Sequence, residues 1–105
     1  MIAILIGGQI TTQPEFKKSA GGRAQVMTSV KARLGRDSTD GWQILAHDPA
    51  PRNALLGLKV GEHVAIQGVP TIRIAKVQGE AVAQKILHAQ HVTPLRSAGG
   101  DDGSL

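Results

Sequence analysis

Apolar and polar residues alternate along most of the chain, which is the pattern of β-strands with one buried face. The clearest case predicts a strand over residues 23–34. Its even-numbered residues, from Ala24 to Leu34, are mostly apolar, whereas its odd-numbered residues include Lys31 and Arg33. We therefore expect one face of this strand to join a core and the other to meet water or a polyanion.

The same alternation, interrupted by glycine and proline, predicts an all-β chain. Further strands are predicted over residues 2–10, 42–47, 62–69, 71–77 and 81–92. Gly7-Gly8 predicts a bulge or sharp bend in the first strand. Pro49 and Pro51 predict a short helix over residues 52–58, because proline is well tolerated where a helix begins. The spacing of these segments, with one helix between the third and fourth strands, fits a five-stranded Greek-key barrel, and a β-sandwich of another topology is the alternative.

The length of 105 residues predicts a single domain. The barrel is expected to occupy residues 1–96, and the Gly, Ser and Asp residues of 97–105 predict a disordered tail. With no cysteine there is no disulfide framework, which fits a cytoplasmic location. The apolar start of the chain is too short to span a membrane or to form a signal segment.

Charge points to an anionic partner. The chain has 12 basic and 8 acidic residues, and two of the acidic residues, Asp101 and Asp102, lie in the tail. A basic body favours nucleic acid first and an acidic protein or membrane surface second, whereas simple solubility is the alternative explanation.

Single-stranded nucleic acid is bound by cations that contact phosphates and by flat rings that stack on bases. Phe16 and Trp42 are the only Phe, Tyr or Trp residues. Each has a structural alternative: Trp42 can fill the core, and Phe16 can close one end of the barrel. The candidate cations lie on the second strand, its flanking loops and the final hairpin, and they are Lys17, Lys18, Arg23, Lys31, Arg33, Arg36, Arg73 and Lys76.

Several short motifs occur in an order and spacing that resemble the bacterial single-stranded-DNA-binding protein family. They are residues 4–8 (ILIGG), 12–15 (TQPE), 21–22 (GG), Trp42, 58–64 (LKVGEHV) and 66–68 (IQG). The resemblance covers about residues 2–95. It implies an OB fold and binding of single-stranded DNA, or of RNA, in replication, recombination or repair. It also implies a homo-oligomer, a dimer or a tetramer, and contacts with a replication or recombination protein.

The chain departs from the family pattern in its aromatic residues and its tail. Members of that family stack bases on several aromatic rings. In this sequence only Trp42 corresponds to one of those rings. The long tail with an acidic tip is reduced to residues 101–105 (DDGSL). Primosomal relatives of the same fold also have fewer stacking rings, so a protein-interaction module is the alternative function.

No pattern in the sequence supports catalysis or a cofactor. His88 and His91 are three residues apart, so they would face opposite sides of a regular strand, which is a poor arrangement for a shared metal ion. No phosphate-binding loop or nucleophile elbow is present. We therefore expect a protein that is not an enzyme and that has no metal or cofactor.

The first strand predicts self-association. Ile2, Ile4 and Ile6 share one face, and Ala3 and Leu5 share the other, so both faces are apolar. In a small barrel only one face points inward, and an exposed apolar strand invites pairing with a second copy. The alternative is that a loop, or the segment near residues 92–95, covers this strand.

Overall fold

A computed structural model describes residues 2–33 and 39–95. Its elements are β1 (Ile4–Ile10), β2 (Glu15–Lys18), β3 (Ala24–Arg33), β4 (Thr39–Ala46), α1 (Pro49–Leu56), β5 (His63–Val77) and β6 (Glu80–Pro94). Within these residues, no helix has the length and apolar character needed to cross a membrane.

Five strands close into a ring. The order of strands in the sheet is β1-β5-β6-β4-β3-β2, and pairing of β1 with β3 closes the ring over Gly8–Ala32 to Ile10–Val30. All pairs are antiparallel except β4 with β6, which run parallel over three residue pairs. Helix α1 lies between the third and fourth strands of the ring, β4 and β5. The five-stranded Greek-key OB-fold barrel predicted from the sequence is therefore confirmed.

The core lies inside the ring and is aliphatic. Four of the predicted inward residues of β3 are buried, since Val26, Thr28, Val30 and Ala32 are each at most 5% exposed. Ala24 is half-buried, and Leu34 lies outside the described residues. The one polar member, Thr28, donates a 2.7 Å hydrogen bond from Oγ1 to the carbonyl oxygen of Thr12, which satisfies its hydroxyl. The buried cluster comprises Ile10, Val26, Val30, Ile44, Ala46, Leu55, Leu58, Val64, Ile66, Leu87 and Ala89.

The short strand β2 is not among the predicted strands. Its four residues continue along the edge of β3 where the pairing with β1 ends. The connection follows the same edge, since the backbone N–H of Thr11 donates to the carbonyl of Ser29 and that of Ser29 donates to Thr12 Oγ1. All four residues of β2 are exposed, so the strand lacks the hydrophobic alternation that would reveal it.

Two predicted boundaries differ from the structure around proline. The segments predicted as 62–69 and 71–77 form one strand, β5, which passes through Pro70. Among the described residues β1 pairs with β5 only as far as Gly68, and proline is tolerated on a strand with one unpaired edge. Helix α1 begins at Pro49, three residues earlier than predicted, because Asp48 with an extended backbone precedes it as the N-cap.

Two glycines allow backbones to approach closely. A Cβ atom at Gly8 would lie 2.6 Å from Val30 Cγ1, so only glycine lets β1 reach β3 and close the ring. Pairing of β1 with β5 runs through Gly7 and Gly8 without a register shift, so the predicted bulge is not at that position. The irregularity lies instead between Gln67 and Gly68 of β5, where a Cβ at Gly68 would collide with the His88 backbone.

The far ends of β5 and β6 form a two-stranded arm, which we define as residues 72–77 and 80–85. In the described chain these residues pair only with one another, because the pairing of β6 with β4 begins at Ile86. Gln78 and Gly79 make the turn with positive φ angles of 52° and 84°. The arm carries four exposed apolar side chains: Ile72, Ile74, Val77 and Val82.

Strand β1 keeps an apolar outer face. Ile4 and Ile6 pack against the core, whereas Leu5 is 70% exposed. Residues 92–95, which were the alternative cover for this strand, do not bury Leu5. Val92 instead pairs with Ile66 of β5 and packs on the core.

Candidate nucleic-acid interface

An open groove of about 440 Å³ crosses the barrel beside the start of β4. Its walls come from β3, β4 and β6, and the residue after β1, Thr11, also lines it. The lining residues are Thr11, Ser29, Val30, Lys31, Thr39, Gly41, Trp42, Gln43, Ala83, Gln84 and Lys85. The groove therefore combines the single tryptophan with two lysines and several neutral hydrogen-bonding groups.

Trp42 contacts both the core and the groove. It lies directly opposite Val30 on β3, so it belongs to the inward face of the sheet. The ring is partly buried and packs against the core cluster, yet it also lines the groove. The two roles foreseen for this residue, core packing and a surface in a binding groove, are thus geometrically compatible.

A carboxylate and an ammonium group flank the indole ring. Trp42 Nε1–H donates a 3.1 Å hydrogen bond to Asp40 Oδ2, and Asp40 also forms an ion pair with Lys85. Lys85 Nζ lies 5.9 Å from the centroid of the Trp42 ring, which is within the range of a cation–π contact. The lysine enters because β6 runs parallel to β4 and pairs with it from Gln43 and Ile86 onward.

Two more cavities adjoin this groove. One of about 330 Å³ shares Ser29 and Gln43 with it and extends to Lys17 on β2. Another, of about 420 Å³, shares Lys31 and Thr39 and extends to Gly8 on β1. The three adjoining cavities share lining residues, and we call the surface that they cover together the groove face.

The predicted cations are distributed unevenly around the groove face. Lys31 is exposed and lines two of the three cavities. Lys17 lines the third and forms a 3.7 Å ion pair with exposed Glu15. Lys18 and Arg23 are exposed at the β2–β3 turn but line none of the three cavities. The Arg33 side chain and the whole of Arg36 lie outside the described part of the chain.

The two predicted cations of the arm point to opposite sides of it. Arg73 lies opposite Gln84 and donates a 3.3 Å hydrogen bond from Nη2 to its Oε1. Lys76 lies opposite Ala81 on the other face. Neither residue lines the three cavities of the groove face. A single wall formed by both residues is therefore not present on the arm.

Phe16 lies on β2 and not in a loop. It is directly opposite Val26, but it is 52% exposed and does not belong to the core cluster. The ring therefore does not fill the barrel interior, and it lines none of the three cavities.

A pair of histidines lies at the other end of β4. The rings of His47 and His88 stack with centroids 6.2 Å apart and an angle of 20° between their planes. Burial lowers the pKa of His47, and the nearby positive charges of Arg23 and His88 lower that pKa further, against an opposite effect of Asp48. Its Nδ1 is buried without a hydrogen-bond partner among the described residues. Over those residues, no group of three or more potential ligands is arranged to hold a metal ion.

Sequence analysis missed several groove residues. Asp40, Gln43, Gln84 and Lys85 were not candidates, although all lie within hydrogen-bonding or lining distance of the groove. Gln43 alone had a usable signal, since it follows Trp42 on a predicted strand. Lys85 had no such signal in the sequence, because its position beside Trp42 depends on the parallel pairing of β4 with β6.

Solved structures similar to this chain include single-stranded-DNA-binding proteins. The small single-stranded DNA-binding protein of Streptomyces coelicolor is 23% identical with a TM-score of 0.75, covering 89% of this chain and 93% of that chain. The mitochondrial protein of S. cerevisiae is 18% identical with a TM-score of 0.72, covering 90% and 96%. A Plasmodium falciparum protein in complex with ssDNA is 20% identical with a TM-score of 0.68, covering 91% and 96%.

No protein-family model matches the sequence, and no curated protein sequence is similar to it. The similarity to these proteins is therefore one of fold. The chain has the OB fold of single-stranded-DNA-binding proteins, and the resemblance indicated by its sequence motifs is confirmed at the level of the fold.

Proposed function

We propose that this protein binds single-stranded DNA along the groove face and is not an enzyme. The observation that carries the proposal is the single groove that Trp42, Lys31 and Lys85 all line. It places a flat ring for a base within reach of cations for phosphates, which is the combination that single-strand binding requires. The fold neighbours are named as proteins with this activity, and one of them is in complex with ssDNA.

The groove residues divide into two kinds of contact. Lys31 is exposed and is suited to phosphates, which position a strand without specifying its sequence. Ser29 and Gln43, which line two adjoining cavities, provide neutral donors and acceptors between the charged ends. With one stacking ring and few cations, binding should be weak and largely electrostatic. Its role would lie in replication, recombination or repair.

The test is a fluorescence-anisotropy titration with labelled oligo-dT, a matched duplex and a matched RNA. Neutralising roughly three or four phosphates predicts that log K falls with log salt with a slope of about −2 to −3. Binding should be tighter to the single strand than to the duplex. A slope near zero, or a preference for duplex, would contradict the proposal. The titration with RNA shows whether the protein prefers RNA or DNA.

Self-association is part of the proposal. Leu5 is 70% exposed on the outer face of β1, and along the described chain only residues 8–10 of this strand pair with β3. Residues 4–7 therefore present an unpaired edge with an apolar side chain, which a second copy could cover about a two-fold axis. A dimer, or a tetramer built from dimers, would place several weak grooves on one particle and raise avidity.

The second candidate function is an OB-fold protein-interaction module such as a primosome-type adaptor. The arm favours it, because Ile72 and Ile74 are 63% and 67% exposed on one face. Apolar side chains in this position are more typical of protein contact than of a solvated hairpin. The two functions separate in the titration, since an adaptor without nucleic-acid affinity would leave the anisotropy of every probe unchanged.

A further inference from the structure

The Trp42 ring is not freely accessible in the groove, because a cation from another strand lies over it. Lys85 Nζ is 5.9 Å from the ring centroid, and the Lys85 side chain is 29% exposed. Asp40 holds it there through an ion pair, and the Asp40 side chain is only 18% exposed. Asp40 is itself fixed by the 3.1 Å hydrogen bond from Trp42 Nε1–H. The three side chains therefore form one connected cluster, which we call the Asp40 cluster.

The cluster has the wrong charge balance for a simple phosphate site. A lysine already paired with a carboxylate neutralises no phosphate, so it displaces none of the cations condensed on the strand. The carboxylate also repels a polyanion, and partial burial weakens the screening of that repulsion by salt. A base that stacks on the covered face of Trp42 has to displace Lys85 from the ring. Displacement breaks the ion pair with Asp40, and a phosphate can then replace the carboxylate as the partner of the ammonium group.

We propose that Asp40 competes with phosphate for the ammonium group of Lys85. Asp40 holds Lys85 over Trp42 until a nucleic-acid strand displaces the lysine from the ring. This inference rests on the proposed function and describes how the same groove is regulated. Asp40 lowers the affinity of the groove and removes Lys85 from the set of cations that contribute to salt dependence. The occupant that opens the cluster is the phosphodiester backbone of a single strand, because only an anion can replace the carboxylate as the partner of the ammonium group.

The discriminating variant is Asp40→Asn. An asparagine Oδ1 still accepts the hydrogen bond from Trp42 Nε1–H, so the ring keeps its orientation, while Lys85 becomes free to contact a phosphate. For a single strand, one added phosphate contact steepens the slope of log K against log salt by about 0.7. The affinity advantage of the variant over the wild type should accordingly fall about 2.5-fold between about 50 and about 200 mM salt.

Two further variants keep the experiment decisive. Glu80→Gln makes the same change in net charge at an exposed position that lines none of the three cavities. It should leave the slope at the wild-type value. The double variant Asp40→Asn/Lys85→Gln removes the released cation, so the additional slope of Asp40→Asn should disappear. Thermal melting of each variant checks that the fold is retained.

The measurement is anisotropy of labelled oligo-dT over a salt series with the wild type and the three variants. Tighter binding and a steeper slope for Asp40→Asn alone would support the inference. An Asp40→Asn slope equal to that of Glu80→Gln, or an additional slope that persists in the double variant, would overturn it while leaving the proposed function intact. Absence of binding by all four proteins at low salt would overturn the proposed function and this inference together.

Discussion

Trp42 lies directly opposite Val30 on the neighbouring strand, so the side chain expected to stack on bases belongs to the inward face of the barrel sheet. Its partly buried ring contacts the core on one side and the groove on the other. Simple truncation of this residue would therefore confuse a loss of binding with a loss of packing.

For this reason we expect Trp42→Leu and Trp42→Phe to give different results. Leucine keeps an apolar group against Val30 but has no ring, so binding of oligo-dT should weaken by about 1–3 kcal/mol. Phenylalanine keeps a ring, so it should retain most of the affinity. Anisotropy gives the affinities, and thermal melting shows how much packing each variant loses. Equal affinities of the two variants would show that the ring is not a stacking platform.

Charge reversal at Lys31 tests whether the groove face contacts phosphates. Lys31→Glu should weaken binding of oligo-dT, oligo-dA and mixed sequences by the same factor, since phosphate contacts carry no base information. Lys59→Glu is the matched control, because Lys59 is exposed but lines none of the three cavities. If Lys59→Glu weakens binding as much as Lys31→Glu, the effect is one of net charge and the groove lies elsewhere.

Leu5→Glu tests self-association through β1. The chain has a mass of 11.0 kDa, and light scattering of the wild type at micromolar concentration should give a multiple of that mass. Leu5→Glu should shift the mass toward the monomer, because it places a charge in the apolar contact. Val60→Glu changes another exposed apolar residue, 55% exposed in the α1–β5 connection, and should leave the mass unchanged. A wild-type mass that stays at one chain on concentration would refute the prediction.

The lowered pKa of His47 predicts a stability that depends on pH. Burial favours neutral imidazole in the folded protein, whereas the unfolded chain takes up a proton near the ordinary value of 6.5. The contribution of His47 to stability is therefore complete above pH 6.5, and it is lost as pH falls through that value toward the lower folded pKa. Urea midpoints at about pH 8 and about pH 5 measure the loss.

His47→Gln should reduce the difference between those two midpoints. His91→Gln is the comparison, because it removes an imidazole at an exposed position of β6. An unchanged difference in His47→Gln would assign the acid sensitivity to another group.

The strands of the barrel could be predicted from the sequence because burial of one face of a strand places apolar residues at every second position. This held for β3, where Val26, Val30 and Ala32 are buried and Lys31 between them is exposed. It failed for β2, whose residues are all exposed and whose pairing is set by the position of β3. Periodicity therefore detects strands that contribute to a core and does not detect those that only extend an edge.

The groove was harder to predict than the fold. Lys31 and Trp42 were accessible to sequence reasoning because a basic outward position and a lone tryptophan are visible in the sequence itself. The position of Lys85 over Trp42 is set by a contact between segments more than 40 residues apart in the chain, and no local pattern records it. Which face of the arm carries Arg73 and which carries Lys76 likewise follows from register.

The parallel pairing of β4 with β6 constrains the order of events during synthesis. Gln43 cannot form its pair with Ile86 before β6 has been synthesised, and Leu87 of β6 is part of the core. While β6 is still inside the ribosomal exit tunnel, β1, β3, β4 and β5 are already outside it. The edges of β4 and β5 that pair with β6 then lack a partner, and the core is incomplete. Contacts so distant in sequence form slowly, because the intervening segment must lose entropy first. The barrel is therefore expected to close in a single late step, and shorter nascent chains should remain sensitive to protease.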